Sequence, residues 1–487
     1  MKKLLSMALV MAMTASLFVG CGSKTTSTEE SKTETTDTTT TTDTSEAEPT
    51  EEAAADEPVT ITLGIWPEDT LTDDIAVHEG YVATMKELHP NVTCEPAYYK
   101  YATDTFMSMV EAGTVPTVFE SWFTEPQKLI REGAVADITD QLEARGWLDK
   151  ISPAIRDLLS DENGRIYGIP RDGYALGLMC NVALFKEAGL VDADGYPIYP
   201  TTWEELAETA KTIKEKTGAA GLCLLAKDNA GGWHFSNIAW CFGATLTVDN
   251  GDGTYTANLN SPEAIAAMEY VKSLKWDYDV LTADPTNEDW GTGFTQLGTG
   301  AAAMYIAAND AVNQPTQVNG LPLEDLGMCA IPAGPGGQYS LSGGTPYMFS
   351  ADATDAEINA ALDYIEIMGK GPVATDAAVE GMRADAQNKV DNGVPVIPRF
   401  PCWVDNEVTA AEDAIVEEFG NVDVKLYQSY FDATAAAGLR TEEPGLTQDM
   451  YAELTKVLQA VITDQNADVK ELMETANSNY QALLDAQ

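Results

Sequence analysis

The sequence predicts an α/β protein in two lobes, on three observations. Its 487 residues, 44% of them hydrophobic, exceed what one core usually organises. From Val59 onward, short apolar runs alternate with helical patterns, as in a doubly wound sheet whose ligand contacts gather at the carboxyl ends of the strands. One apolar run, "YGIPRDGYALGLMCN" at 167–181, is broken by Arg171, Asp172 and Gly173 and resumes at once. That pattern suits a strand that stops at a polar bend and restarts in a second sheet, with the polar insert on the floor of a cleft between lobes; an ordinary surface turn is the alternative.

The elements follow in order. "VTITLGIW" reads as a strand, and Asp74 to Leu88 as a helix that ends before His89-Pro90. "NVTCEPAYY" is the next strand, "YATDTFMSMVEAG" a helix closed by Gly113, and "VPTVFES" a third strand, before a helix and a short strand in "PQKLIREGAVADI". After the interrupted run, Thr202 and Glu205 mark a capping box and Gly218 a stop for the helix between them. "GLCLL" is a buried strand, and "GGWHFSNIAWCFGA" a helix rich in aromatics. "TLTVDNGDGTYTANL" is a hairpin about Asn250-Gly251 rather than a calcium loop, because glycines stand at ligand positions and no Glu closes the loop. Ser261 and Pro262 open the following helix, "AMYIAAND" ends in a strand, two further strands flank "PAGPGG", and helices fill Asp355 to Met368 and the chain from Thr409. Trp147, Trp203, Trp240 and Trp276 lie in or beside helical patterns and read as packing residues.

Charge and the N-terminus bound the function. Twenty-eight basic against 77 acidic residues give a net charge of −49, a surface that repels phosphate backbones and disfavours nucleic acid. Residues 1–20 have the basic start, apolar middle and small-residue end of a secretory signal, too short for a membrane span. Gly20-Cys21 resembles the lipobox of bacterial lipoproteins, with Phe18 where Leu is usual, which makes Cys21 the expected lipidated first residue; an ordinary cleaved signal is the alternative. Residues 22–58 are almost all Thr, Ser, Glu, Asp, Ala and Lys, a composition that cannot offset the entropy of ordering, so 21–58 is expected to be a disordered tether. The six later cysteines form no C-x-x-C pair and read as core residues; no metal and no cofactor is expected.

The succession "EAGTVPTVFESW", "LIREGAVADITDQL", "GRIYGIP", "CNVALFKEAGL", "YPTTWEELAETAKTI", "GTGAAAMYIA", "IPAGPGGQYSLSGGTPY" and "GVPVIPRF" resembles the extracellular solute-binding proteins of family 1, the maltose-binding-protein-like receptors of ABC sugar importers. Val115-Pro116-Thr117 and Cys180-Asn181-Val182 depart from the family's usual Gly-Pro-Asp and Tyr-Asn-Lys, which places the chain on a distant branch. The resemblance implies a periplasmic-binding-protein-like fold with a hinge and an interlobe ligand cleft. One lobe would hold residues 59–170 and 326–352 and the other 173–325 and 353–487, closing over the ligand by hinge bending.

Sugar recognition needs flat aromatic faces and convergent polar groups. Trp66 with Glu68 after the first strand, Trp122 after the third, and Arg171 and Asp172 in the insert are the candidates from strand ends, an Arg171–Asp172 ion pair that only fixes the bend being the alternative for those two. The resemblance adds Tyr174, Trp233, Asn309, Asp310 and Trp403 as expected contacts. Gly344, beside Gly343, offers a backbone N–H or only a tight turn, and His234 is secondary. The expected function is capture of a sugar or oligosaccharide by a monomeric, membrane-tethered receptor and delivery to the permease subunits of an ABC transporter, without catalysis. An exported glycoside hydrolase or lyase, and a receptor for a non-sugar solute such as a polyamine, are the rival readings. No G-x-S-x-G, H-E-x-x-H or phosphate-loop spacing supports other chemistry, and Arg171 and Arg399 leave an acidic sugar open.

Overall fold

The computed structural model describes residues 57–251, 254–398, 402–404, 406–435 and 439–486. The expected signal segment, Cys21, the tether as far as residue 56, and Arg399 lie outside the described residues.

The strands are β1 (Val59–Leu63), β2 (Val92–Pro96), β3 (Val118–Glu120), β4 (Gly168–Asn181), β5 (Ala220–Cys223), β6 (Thr247–Asp249), β7 (Tyr255–Ala257), β8 (Ala302–Ala308), β9 (Leu326–Cys329), β10 (Ser340–Phe349) and β11 (Leu439–Arg440). Among the described residues nine of them join in the order β2-β1-β3-β10-β4-β8-β5, with β9 beside β4 and β11 beside β10, while β6 and β7 form the hairpin read from Asn250-Gly251. Parallel pairs with helical crossovers, β1 with β2 and β3, and β5 with β8, sit at the two ends of this path. In its middle, β4 and β10 run antiparallel and connect the two ends.

The interrupted run is one continuous strand, which corrects the expected bend. β4 pairs with β10 as far as Ala175 and with β8 from Leu176 to Cys180, so it passes from one part of the sheet to the other without a break. The polar insert is a β-bulge. Pro170 pairs with Pro346 and Asp172 with Thr345, which leaves Arg171 as the extra residue. Pro346 has no N–H to give the ladder, so a bulge opposite it costs little, and a bulge turns the added side chain out of the regular alternation.

Two sets of buried residues lie on either side of this ribbon. The first contains Leu63, Phe119, Ile169 and Tyr347. The second side is built from Leu178, Leu222, Phe235, Met304 and the C-terminal helices, with an adjoining cluster around Tyr305 and Tyr430. Two segments pack on the side opposite to the one expected. Cys329, Ile331 and Leu341 belong to the second core, because β9 pairs with the far half of β4. The helix Asp355–Ile367 and Trp403 belong to the first, where Ile358, Leu362 and Ile365 bury beneath β1.

Local signals hold well. Thr202 and Ser261 each cap a helix through the side-chain oxygen, as Thr354 also does, but the Glu205 carboxylate accepts from Thr201 rather than from the Thr202 N–H, so the expected capping box is half formed. Trp147, Trp203 and Trp240 are buried, and Trp276 donates to the Val461 carbonyl. The short strand expected near Ala134–Ile138 is only an isolated bridge between Val135 and Ser350. Cys94, Cys180, Cys223, Cys241 and Cys329 are thiols, and no group of three or more ligating side chains is placed to hold a metal among the described residues.

Candidate functional site

Beyond β3 the chain leaves the sheet through Ser121, Trp122, Phe123 and Thr124 into the helix Pro126–Arg131. Trp122 stays 41% exposed, its ring edge-on to Tyr101 with centroids 5.6 Å apart. Glu125, only 4% exposed, accepts hydrogen bonds from the Tyr101 hydroxyl at 3.1 Å and the Thr124 hydroxyl at 3.2 Å. Burial pushes its carboxyl above the usual range in spite of those bonds and of Lys128 nearby.

The second lobe supplies the facing wall. The helices Ala230–Cys241 and Thr447–Thr463 meet at Gly232, where a Cβ would lie 2.3 Å from the Tyr451 carbonyl oxygen. Only glycine permits that approach, and it lets the two helices pack backbone to backbone at Gly232 and Tyr451. Trp233 packs edge-on to Trp290 at 5.3 Å and stacks on His234. Glu442, half-buried on the segment entering the second helix, accepts from the Tyr451 hydroxyl at 3.1 Å. Burial first, and then the charge of Glu125, push Glu442 up to about 7, against the Tyr451 bond and the Trp233 indole.

The hinge provides the floor. Tyr174 of β4 lies against Gly343 of β10, where a Cβ would come within 3.0 Å of the phenol oxygen. Its hydroxyl is held well above the ordinary tyrosine value by burial, with Glu442 and Asp310 adding to the effect. The two walls also touch directly. Gln448 Nε2 donates to Thr124 Oγ1 at 3.0 Å, and its Oε1 accepts from Asn229 Nδ2 at 2.9 Å.

Along the same hinge strand opens a cavity of about 370 Å³ lined by Pro67, His78, Arg171, Asn309, Lys389 and Glu412, among others. Arg171, the bulge residue, donates to Glu120 Oε2 at 3.1 Å and to Asp310 Oδ2 at 3.0 Å. It therefore ties the end of β3 to the segment after β8. Asn309 is 5% exposed and accepts from the Ala175 N–H at 3.1 Å, which pins β4 to the second lobe.

The structure thus brings Arg171, Asn309 and Asp310 to the cavity, while Trp122 packs on Tyr101, Tyr174 lies against Gly343 and Trp233 packs on Trp290, none of the three lining it. Trp66 is 9% exposed in the first core, edge-on to His78 at 5.5 Å, and the exposed Glu68 follows it. Gly344 is buried and pairs with Gly173, and the Asp172 backbone pairs with Thr345. Trp403 is 8% exposed, donates to the Lys370 carbonyl at 3.1 Å and packs on Trp147 at 6.0 Å; it is not among the residues lining the cavity. Sequence reasoning missed Tyr101, Thr124, Glu125, Glu442, Gln448 and Tyr451. The one local signal was "TEEPGLTQDMY", a polar stretch between a strand and a long helix, which does not reveal what it faces.

The chain that folds in this way matches a known family. The description of bacterial extracellular solute-binding proteins fits residues 70–369, more than half of the 487. The chain belongs to that family. Solved structures share this solute-binding fold. The GacH receptor of Streptomyces glaucescens, solved unliganded and with acarbose, is 18% identical with a TM-score of 0.65, over 88% of this chain and 99% of that one. A cyclic alpha-maltosyl-1,6-maltose binding protein from Arthrobacter globiformis is 20% identical with a TM-score of 0.62, over 88% and 99%. UgpB from Mycobacterium tuberculosis, in complex with glycerophosphocholine, is 16% identical with a TM-score of 0.66, over 88% and 99%. No curated protein matches the sequence. In this solute-binding protein the facing wall formed by Glu442, Gln448 and Tyr451 lies beyond the residues that the family description matches.

Proposed function

We propose that this solute-binding protein is a lipid-tethered receptor, anchored through Cys21, that captures a sugar or oligosaccharide between its lobes and hands it intact to the permease of an ABC transporter. The observation that supports the reading is the family match over residues 70–369, with a cavity beside the hinge strand lined by Arg171, Asn309 and Asp310 and a Thr124–Gln448 bond between the lobes. In this reading Trp122, Tyr174 and Trp233 cover the C–H faces of a sugar while Asn229, Thr124 and Gln448 serve its hydroxyls. Ligand that binds the closed arrangement better than the open one shifts the population toward closure, and the closed shape is what a permease reads. The extracellular family description supports work outside the cytoplasm, and no helix among the described residues is long and apolar enough to cross a membrane.

The test is a thermal-shift and titration screen of the purified protein against mono- and oligosaccharides, including uronic acids, with product analysis of every mixture. Stoichiometric binding and a raised melting temperature with intact sugar support the receptor. Turnover would instead favour a hydrolase, for which Glu125 and a Glu442 pushed up to about 7 are the candidate carboxylates.

A further inference from the structure

We propose that the cavity beside the hinge strand is a second binding site, distinct from the proposed sugar cleft, which takes a small uncharged molecule with an apolar body and a polar end and steadies the packed arrangement of the two lobes.

The cavity has its own place in the fold. Arg171 and Gly173 of β4 line it and Asp172 and Tyr174 do not, so it opens on the face of the hinge strand opposite to Tyr174. Trp122, Thr124, Trp233 and Gln448 do not line it either. Its walls come from both lobes: Ile65 and Glu120 beyond β1 and at the end of β3 on one side, Asn309 and Val312 just after β8 on the other. The segment from the helix Asp376–Asp391 to the helix Asn406–Phe419 also borders it and is fastened to each lobe. Asn388 Nδ2 donates to Asp74 Oδ1 at 2.7 Å and the Tyr81 hydroxyl to the Gly381 carbonyl at 3.2 Å, which hold the segment to the first lobe. Val394 and Ile397 bury in one cluster with Val312 and Tyr427, which holds it to the second. A volume of about 370 Å³ between two lobes has the setting and the size of a small-molecule site.

The charges of the lining disfavour an ion. Arg171 is paired with Glu120 and with Asp310, Lys389 is paired with Asp385 at 2.7 Å, and Asp74 accepts from Asn388. Lys370 and Glu412 also have partners. A charged ligand would have to break one of these pairs and leave its other member unmatched in a partly buried site.

The polar groups that remain for a ligand are neutral. The side-chain amides of Asn313 and Gln317, beside one another on a helical turn of the second lobe, make no hydrogen bond among the described residues. On the first lobe His78 engages the Tyr364 hydroxyl through Nδ1 at 2.8 Å, and burial lowers its pKa from 6.5 to about 4, so the ring that lines the cavity is uncharged at neutral pH. Val312, Met368, Met382, Val396 and Ile415 supply apolar lining for the body of the molecule. Because the walls belong to different lobes, the ligand loses contacts when the lobes part, so its binding favours the packed arrangement.

The experiment is NMR of the purified protein with isotope-labelled methionine methyl groups, using hexanamide as the probe and hexanoate and hexylammonium as its charged counterparts at neutral pH. Met368→Leu and Met382→Leu identify the two methyl signals of the cavity. The expected result is a saturable shift of both signals with hexanamide, and binding of either ion weaker by about tenfold or more. Asn313→Ala combined with Gln317→Ala should weaken hexanamide by about fivefold. Val396→Trp, which fills the cavity, should abolish the shift; circular dichroism melting checks that it folds, and the double amide variant carries the test if it does not. Gln448→Ala should also weaken hexanamide, because it removes the Thr124–Gln448 bond between the lobes. Three results overturn the site: no saturable shift with hexanamide, an ion that binds as tightly as hexanamide, or hexanamide affinity unchanged in the folded Val396→Trp protein or in the double variant. Unchanged hexanamide affinity in Gln448→Ala overturns the coupling to the lobes. The sugar screen decides the receptor reading independently, since Trp122, Tyr174 and Trp233 do not line this cavity.

Discussion

Glu443 adjoins the binding segment and holds it in place, so its removal tests how the facing wall is built. The side chain is 8% exposed and its carboxylate accepts three hydrogen bonds: from Trp240 Nε1 at 2.7 Å and from the backbone N–H groups of Leu246 and Thr247, each at 3.1 Å. These join the Ala230–Cys241 helix and the start of β6 to the residues that carry Glu442. Glu443→Ala orphans all three donors. Each unsatisfied buried donor costs about 1–3 kcal/mol, and loss of the buried carboxylate returns part of that, for a net destabilisation of roughly 4 kcal/mol. With an unfolding entropy near 2.1 cal/mol/K per residue over about 420 described residues, this lowers the melting temperature by about 4.5 °C. Differential scanning calorimetry measures it, with Glu187→Ala at an exposed site as control. A melting temperature within about 1 °C of that control would refute the argument, since it would mean that the three donors find water at no cost.

The pH dependence of stability follows from two opposed groups. Glu442, raised from 4.5 to about 7, binds a proton in the folded state that the unfolded chain lacks, so its contribution grows by roughly 3 kcal/mol as pH falls from 7 to 4.5. His78, buried and lowered from 6.5 to about 4, resists a proton that the unfolded chain takes up, and so costs a similar amount as pH falls from 6.5 to 4. Melting curves of Glu442→Gln should therefore drop more steeply between pH 7 and pH 5 than those of the unaltered protein, and parallel curves would contradict the assignment. Gln448→Ala removes the bond to Thr124 and should enlarge the radius of gyration of the ligand-free protein in small-angle scattering; no change would mean that this contact does not hold the lobes together. Gly343→Val drives a side chain into the Tyr174 phenol and should lower ligand affinity more than stability, read by titration beside melting; a loss of stability alone would assign Tyr174 a packing role.

How much of this was legible beforehand depends on the range of each signal. Thr202 and Ser261 announce their helices because an N-cap acts within three residues. The alternation of apolar runs located β1, β3 and β8 because period and burial are local properties of a strand. The insert at Arg171 was visible as an interruption, but whether it was a bend or a bulge depended on Pro346 opposite, far away in the chain. Trp403 illustrates the limit from the other side: a tryptophan in a familiar setting carries no mark of whether its ring faces a cleft or, as here, Trp147 in a core.

By itself, then, the sequence determined the α/β class, the caps at Thr202 and Ser261, and the interruption at Arg171. Only the tertiary structure decided that Thr124 meets Gln448, 324 residues on, and that Trp403 packs on Trp147. The reason is physical: helix periodicity and capping act over a few residues, whereas side chains hundreds of residues apart become neighbours only when the lobes are packed.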